Sequence, residues 1–593
     1  MPGCDPDGFL GVLFAGAPPR LGSRPVPARI RSLQILYRGY IANRAALIGD
    51  EGSERADPDA EFFAAAYDRW GAQLSRHVLG EYAVAIYDTQ HRTLALAHDE
   101  LGLMPLFYAV DGDAIAFGTH LADLVDEIGV GSLDEEYVAD YFARGEHLGG
   151  RTPYERISRL LPGENLTYGE GCLRAQSAWT LAQPAATGAS GLAEEEARLR
   201  QLLNEAVTAA LPADGRVLCE LSGGLDSSTI FNLARRAPGT NVEALSYIYS
   251  HSHTADERRW IEIVLREAPL PWHPLDVDAT PALSELPHGR IGEPHVWVSH
   301  LALNRRYVET VRATGASVVL TGEGGDSVLC GDLQMPFFLA DRLRCGELTS
   351  LVREGRDWCD GLQGKRSLRH VLTRFAFNGT LARMRGEALE HRTPEIPWVD
   401  AVYARRVSLF RRGKNPWLPP AGSVGNAYAL QRVMRSANLV ATNYHFRRDL
   451  PPSRHPMLYR PLLEFMLGVD WDHKIAPKSD RLLQRSALRS ILPDATLQRR
   501  DKGGSSQPFF DGLDASPSWR AALTERPRIV ERGYAKLDEW RRAVDLARAG
   551  RTSDLSAFRA AAILEVWLQH LESLPQTGNR KIAGEAVPIM GSS

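Results

Sequence analysis

Residues 217 to 230 read Val-Leu-Cys-Glu-Leu-Ser-Gly-Gly-Leu-Asp-Ser-Ser-Thr-Ile, and this stretch constrains the fold more than any other. The apolar run 217–221 has the length and composition of a buried strand. Ser222-Gly223-Gly224 is a tight loop, and a helix is expected to begin directly after it. A glycine loop feeding a helix start offers backbone N–H groups and the positive end of the helix dipole to an anion. Glycine also lets the backbone approach a phosphate without an intervening Cβ. No Gly-Lys-Ser/Thr follows, so this is not a Walker loop. The plainer alternative is a glycine-rich turn that merely joins strand to helix.

The rest of the chain divides around this unit. From residue 8 to about 179, short apolar or alternating runs at 8–14, 31–37, 80–88, 93–98 and 114–118 predict strands of a β-rich domain. Helices are expected near 60–70 and 133–144. Residues 183–191 form a small-residue linker, which sets the expected domains at 1–185 and 186–593. A charged amphipathic helix follows at 194–211. Strands at 217–221, 243–249 and 317–320 then alternate with helical stretches at 227–236, 257–267 and 299–313. That alternation predicts a parallel, doubly wound sheet. From about residue 333 the chain reads as mostly helical, and no internal repeat is present.

Composition narrows the function classes. A length of 593 residues suits two or more domains, and a net charge of −4 argues for neither a nucleic-acid nor a membrane surface. The six cysteines form no CxxC pair and no zinc spacing; Cys219 and Cys330 sit in apolar runs as expected reduced core residues. No signal peptide is evident, and no apolar run reaches the ~18 residues that span a bilayer. A cytoplasmic enzyme with reduced thiols is the default expectation.

Both halves resemble the asparagine-synthetase B-type enzymes. In the first half the resemblance rests on Gly80-Glu-Tyr-Ala-Val-Ala-Ile-Tyr-Asp88 and His98-Asp-Glu-Leu-Gly-Leu-Met-Pro-Leu-Phe-Tyr108. In the second half it rests on Ser222-Gly-Gly-Leu-Asp-Ser227, Thr321-Gly-Glu-Gly-Gly-Asp326 and Gln498-Arg-Arg-Asp-Lys-Gly-Gly504. The resemblance implies an α+β, N-terminal-nucleophile-like domain of sandwiched sheets. An α/β ATP-pyrophosphatase domain, of adenine nucleotide α-hydrolase type, would follow, with a helical C-terminal part. It also implies that ATP is cut between its α- and β-phosphates to activate a carboxyl oxygen as its adenylate.

Several departures from the family pattern bear on function. A working glutaminase of this family needs a cysteine exposed by removal of Met, whose own amine serves as base. Here the chain reads Met1-Pro2-Gly3-Cys4, and Arg38-Gly39-Tyr40 stands for the family's Asn-Gly-Glu. The first domain is therefore expected to be a degenerate glutaminase, even though Asp59-Ala-Glu61 retains part of the amine-binding segment. Relatives without a glutaminase include ring-closing enzymes, in which an amine of the same substrate attacks the adenylate. β-Lactam synthetases resemble tyrosine at the position of Glu323, whereas this chain keeps the acid. The long helical end is similar to that of lasso peptide cyclases.

Roles then attach to residues. Ser222, Gly223, Gly224, Asp226 and Ser227 would cradle the departing phosphates. Asp226 and Asp326 would hold Mg²⁺, since a carboxylate beside a triphosphate needs a cation between them; the alternative for Asp226 is a helix N-cap. Glu323 would position the attacking amine or accept its proton, or else only pair with a basic neighbour. Lys502 resembles the family's catalytic lysine and would neutralise charge developing on the α-phosphate; without the resemblance it reads as part of a solvated basic loop. Ser246, Tyr247, Ile248, Thr321 and Gly322 are expected to border the nucleotide. Asp256 and Glu257 could cap a helix, and His295, Trp297 and His300 could line a substrate cleft or simply pack.

The resulting expectation is an ATP- and Mg²⁺-dependent lasso peptide cyclase. It would adenylate an Asp or Glu side chain of a precursor peptide and join it to the peptide's N-terminal amine. A leader-peptide-binding protein and a leader peptidase would be its partners, with no nucleic acid and no membrane span. The rivals are a β-lactam synthetase-like or ammonia-dependent asparagine synthetase-like ligase, and a non-catalytic scaffold that kept the fold.

Overall fold

A computed structural model describes residues 9–14, 20–21, 28–44, 57–147, 149–177, 191–331, 335–362, 365–387, 389, 396–409, 422–448, 450–501, 503–504 and 506–574. The first half is built on two antiparallel sheets. One has five strands, ordered Arg20–Leu21, Leu10–Phe14, Ala114–Gly118, Phe107–Asp111 and Ser158–Arg159. The other has six, ordered Cys172–Ser177, Glu164–Gly169, Thr93–His98, Gly80–Asp88, Leu33–Ile41 and Ala28–Ile30.

Alternation explains how these sheets stack. On strand Gly80–Asp88, Ala83, Ala85 and Tyr87 join Phe9, Leu13, Ile115 and Phe117 in a core between the sheets. Tyr82, Val84 and Ile86 point the other way, onto Phe62 and Phe63 of helix Pro58–Trp70. Both faces of the strand are thus covered, which is why it reads as a continuous apolar run. The outer face of the five-stranded sheet is covered by helices Leu121–Ile128 and Glu135–Arg144 and by the C-terminal helix Leu555–Ser573. The two halves therefore share an apolar cluster.

The second half carries a five-stranded, all-parallel sheet. Its order is Trp272–Asp276, Asn241–Ile248, Arg216–Glu220, Val318–Leu320 and Ser453–Arg454. In chain order this is 3-2-1-4-5, so the direction of winding reverses between Arg216–Glu220 and Val318–Leu320. Ligands of such sheets bind at the carboxyl ends of the strands at that switch point.

The expected parallel sheet and the helical end are present. The helix expected at 133–144 resolves into Glu135–Arg144 with a separate Leu121–Ile128 ahead of it. The helix expected at 299–313 is a short 3₁₀ turn, Val296–His300, followed by Leu301–Thr314. Of the linker expected at 183–191, only Gly191 is among the described residues; Cys4 is likewise outside them. Cys219 and Cys330 are buried core thiols, and burial pushes the Cys219 thiol up. Among the described residues no helix is long and apolar enough to cross a membrane.

Candidate active site

The two glycine-rich loops leave adjacent strands at the switch point and touch each other. Helix Leu225–Ala234 starts at Gly224 with no side-chain cap, which rules out the N-cap role for Asp226. Gly223 has φ +68°, and a Cβ there would meet the Trp260 carbonyl carbon at 2.5 Å. A Cβ on Gly322 would meet the Ser227 nitrogen at 2.8 Å, and one on Gly325 would meet Asp226 Cγ at 2.4 Å. The glycines are thus required by close approach of the two loops as well as by turn geometry. Within the first loop, the Ser222 N–H donates to Ser227 Oγ at 3.1 Å.

The loops bring Asp226 and Asp326 onto one cationic group. Arg481 donates through Nη1 to Asp226 at 3.1 Å and through Nη2 to Asp326. Gln484 adds a donor to Asp226 at 2.9 Å. Arg481 begins helix Leu482–Ala487 in a left-handed conformation, φ +53°, a strained choice for a long side chain of the kind found at functional sites.

A cavity of about 2130 Å³ lies over these loops. Its floor includes Ser222, Gly224, Asp226, Ser227, Gly322, Glu323 and Asp326. Ser246 and Tyr247 line it from the neighbouring strand, and the buried Ser246 Oγ has no hydrogen-bond partner among the described residues. Gly223, Ile248 and Thr321 do not line it. Gly223 is packed on Trp260. Ile248 uses its carbonyl to accept from Val277 on the outer side of the sheet. Thr321 is buried, its Oγ1 accepting from the Glu323 N–H at 3.2 Å.

The segment expected to carry the catalytic lysine is fastened to the Ser222–Ser227 loop. Arg499 donates to the Ser222 carbonyl at 3.2 Å, pairs with Glu257 and lies over the Trp260 ring at 4.9 Å. Glu257 also accepts from the Gly503 N–H at 3.2 Å. Its carboxylate anchors this segment rather than capping its own helix, which has no side-chain cap. Lys502 is outside the described residues; Asp501 and Gly503 on either side of it line the cavity.

The far wall was not anticipated from sequence. Helical turns from Leu368 to Arg385, interrupted by a π-helical stretch at Leu372–Phe377, contribute Arg374, Leu381 and Arg385. Arg432, Arg435 and Leu439 of helix Val424–Asn443 add to it, as does Glu146, which pairs with Arg435 at 2.9 Å. π-helical turns concentrate at functional sites. By contrast His295, Trp297 and His300 lie off the cavity. The His295 ring accepts from the Trp297 N–H, and the Trp297 indole donates to Asn443 at 2.9 Å, so they serve packing and capping.

The residues present fit a magnesium nucleotide. Two carboxylates converge on one cation, and Mg²⁺ characteristically takes one or two protein carboxylates and completes its shell with phosphate and water. An uncapped helix start faces the same space, as does the orphaned Ser246 hydroxyl. Among the described residues no cluster of three or more His, Cys, Asp or Glu offers an all-protein metal site.

Comparison with known proteins agrees with both halves. The model of a glutamine amidotransferase domain matches residues 19–179, and that of asparagine synthase matches residues 198–569. Amidase chyE of Penicillium rubens is 26% identical over 318 residues, 50% of this chain and 45% of the relative, so the match spans less than half that relative's length. Asparagine synthetase [glutamine-hydrolyzing] 3 of Bacillus subtilis is 22% identical over 79% of this chain and 74% of its own. Putative asparagine synthetase [glutamine-hydrolyzing] 2 of Methanocaldococcus jannaschii is 27% identical over 50% of this chain and 58% of its own. With its amidotransferase-type first domain and its ATP-pyrophosphatase-like second domain, the chain belongs to the asparagine synthase family of ATP-dependent amide ligases.

Proposed function

We propose that the protein is an AMP-forming macrolactam synthetase acting on a peptide. A carboxylate oxygen of a substrate Asp or Glu attacks the α-phosphorus of ATP, the bond to the β-phosphate breaks, and pyrophosphate leaves. The peptide's N-terminal amine then attacks the acyl carbon, AMP leaves, and the amine proton passes to Glu323. Asp226 and Asp326 would hold Mg²⁺, which offsets the charge of the departing pyrophosphate. Ser222, Gly224 and Ser227 bind that pyrophosphate, Ser246 and Tyr247 border the nucleotide, and Lys502 steadies charge on the α-phosphate.

The observation that carries the peptide reading is the cavity. About 2130 Å³ exceeds the ~300–1,000 Å³ typical of small-molecule pockets. Its far wall combines arginines with exposed apolar side chains, Leu381 at 42% and Leu439 at 45%, a surface suited to an acidic peptide. The test is incubation with ATP, Mg²⁺ and candidate linear peptides, with mass spectrometry of the peptide and chromatography of the nucleotide. Loss of one water from the peptide with matching AMP is expected. Stoichiometric ADP, or turnover of free aspartate with ammonia in preference to any peptide, would overturn the reading. A partner that presents the peptide, with a peptidase that frees its amine, belongs to the same proposal.

A further inference from the structure

The first domain reaches the second domain's acid through one histidine. Strands Leu33–Ile41 and Gly80–Asp88 pair with Tyr40 opposite Glu81. Glycines flank that pair in conformations other residues rarely adopt, Gly39 at φ +109° and Gly80 at φ +142°. A Cβ on Gly39 would lie 1.9 Å from the Glu81 carbonyl oxygen. The tight crossing presents Glu81, only 4% exposed, to the start of the segment that follows strand Ser453–Arg454. There Glu81 Oε1 accepts from the His455 backbone N–H at 2.6 Å, and Oε2 meets the ring Nδ1 at 2.9 Å. The Tyr40 hydroxyl lies 3.4 Å from Oε1, and the Arg454 guanidinium lies over the Tyr40 ring at 4.5 Å. The other ring nitrogen of His455, Nε2, is 3.9 Å from Glu323 Oε2 at the cavity floor.

The geometry points to His455 as a positioning residue for Glu323 in amide formation, held in place by Glu81 of the N-terminal domain. The inference rests on the ligase reading above and on Glu323 as the group that receives the amine proton. A carboxylate at Nδ1 fixes the ring orientation and leaves Nε2 aimed at the second carboxylate, the logic by which buried acids orient imidazoles elsewhere. The titratable and charged groups around the ring are Glu81, Tyr40, Asp99 and Glu100 from the first domain, Glu323 from the loop, Glu220 from the adjoining strand, and Arg454, Tyr459 and Arg460 from its own segment. Burial disfavours the charged ring, but Glu81, Glu323 and Glu220 together outweigh it and hold the His455 pKa above its ordinary value. When the ring is protonated, its charge 3.9 Å from Glu323 favours the ionised carboxylate, the form that can accept a proton. Adenylation does not use this pair, so the N-terminal domain would serve the second half-reaction selectively.

Two measurements test this. Glu81→Gln keeps an acceptor for the His455 N–H and is the mild variant; His455→Gln removes the ring. The probe is the acidic peptide that turns over in the mass-spectrometric assay, followed as peptide-dependent ATP–pyrophosphate exchange and as amide product across pH. Both variants should lose amide formation at least tenfold more than exchange. The acid limb of the amide-forming rate should move to higher pH, because Glu323 without its cationic neighbour is harder to ionise. Parallel loss of both half-reactions with an unmoved acid limb would assign a merely structural role and overturn the inference, as would an unchanged amide rate. NMR of labelled histidine needs no peptide: the resonance missing in His455→Gln should titrate at lower pH in Glu81→Gln, and an unshifted midpoint refutes the coupling. A wild-type enzyme inactive on every peptide, with that midpoint shift present, would instead sink the ligase reading and leave the Glu81–His455 contact standing.

Discussion

The contact between the two glycine loops makes Gly325→Ala the most discriminating substitution at the site. The new methyl would lie 2.4 Å from Asp226 Cγ and 2.7 Å from Asp226 Cβ, whereas carbon atoms rest at about 3.5–4.0 Å. A change of rotamer can move Cγ but not Cβ, so one of the loops must retreat by roughly 1 Å to restore ordinary contact. Overpacking of this kind costs about 1–3 kcal/mol, which a chain of this size tolerates while remaining folded. Catalytic geometry is less forgiving, since a misplacement of ~1 Å can cost about 10²-fold in rate. The expected result is a modest fall in the thermal midpoint with about a hundredfold fall in single-turnover AMP formation. Gly191→Ala is the control: nothing lies within 4 Å of its Cβ, and its φ of −66° suits any residue. It should change neither quantity beyond a few-fold. If Gly325→Ala retained AMP formation within threefold of wild type, the assignment of Asp226 to a tightly located metal or phosphate site would be wrong.

Asp226→Asn and Asp326→Asn should each slow turnover by about 10²–10³-fold and cost about 1–3 kcal/mol of stability, because each removes one of the two carboxylates paired with the part-buried Arg481 among the described residues; near-normal turnover in either removes the metal assignment. Lys502→Ala should bind ATP as wild type does and fail in single-turnover product formation, because its charge is needed mainly in the transition state; normal cyclisation would remove its catalytic role. At the domain interface, burial opposes ionisation of Glu293, but Arg159, His445 and Tyr137 together lower its pKa from 4.5 to about 2. Its contribution is therefore present above pH 4.5 and lost as pH falls towards 2. That amounts to about 3 kcal/mol, and Glu293→Gln should flatten the acid limb of a plot of unfolding free energy against pH.

What was legible in the sequence was what is local. The strand–loop–helix at 217–230 and the turn at 321–326 carry their conformation in neighbouring residues, and two apolar runs flanking glycine loops suffice to set them at the ends of adjacent strands. Strand Ser453–Arg454 was invisible: it is two residues long, lies between Pro452 and Pro456, and has no period to read. Its placement depends on the neighbouring strand, through Thr321 N–H donating to the Arg454 carbonyl at 3.1 Å. Arg481 and His455 were missed for the same reason. One arginine among many and one histidine outside any motif become site residues only when the fold brings them to partners 255 and 374 positions away. For Arg481 the usable signal is conformational, a positive φ on a non-glycine residue, and it exists only in the structure. For His295, Trp297 and His300 the sequence left lining and packing both open, and the structure settles on packing and capping.

The interface between the two halves bears on what the first domain does in a chain of this family. Its apolar part is large, with helix Leu555–Ser573 seated on the outer face of the five-stranded sheet and its Trp567 ring 6.3 Å from Tyr154, and hydrophobic burial of that extent accounts for the adhesion. Across the same interface run buried charged contacts: Glu81 with His455, Arg159 with Glu293 at 2.7 Å, and Glu100 with Arg460 at 3.1 Å. Buried ion pairs return little net stability once desolvation is counted, yet breaking one costs several kcal/mol. Their effect is to penalise every other registration of the two domains. Burial pushes Glu100 up to about 8 even beside Arg460, so at neutral pH that contact is mostly not an ion pair, and the penalty rests on Glu81 with His455 and Arg159 with Glu293. Fixed registration is what a contact such as Glu81 on His455 requires, because Nε2 reaches Glu323 only if the strands of the first domain stand in one place relative to the parallel sheet.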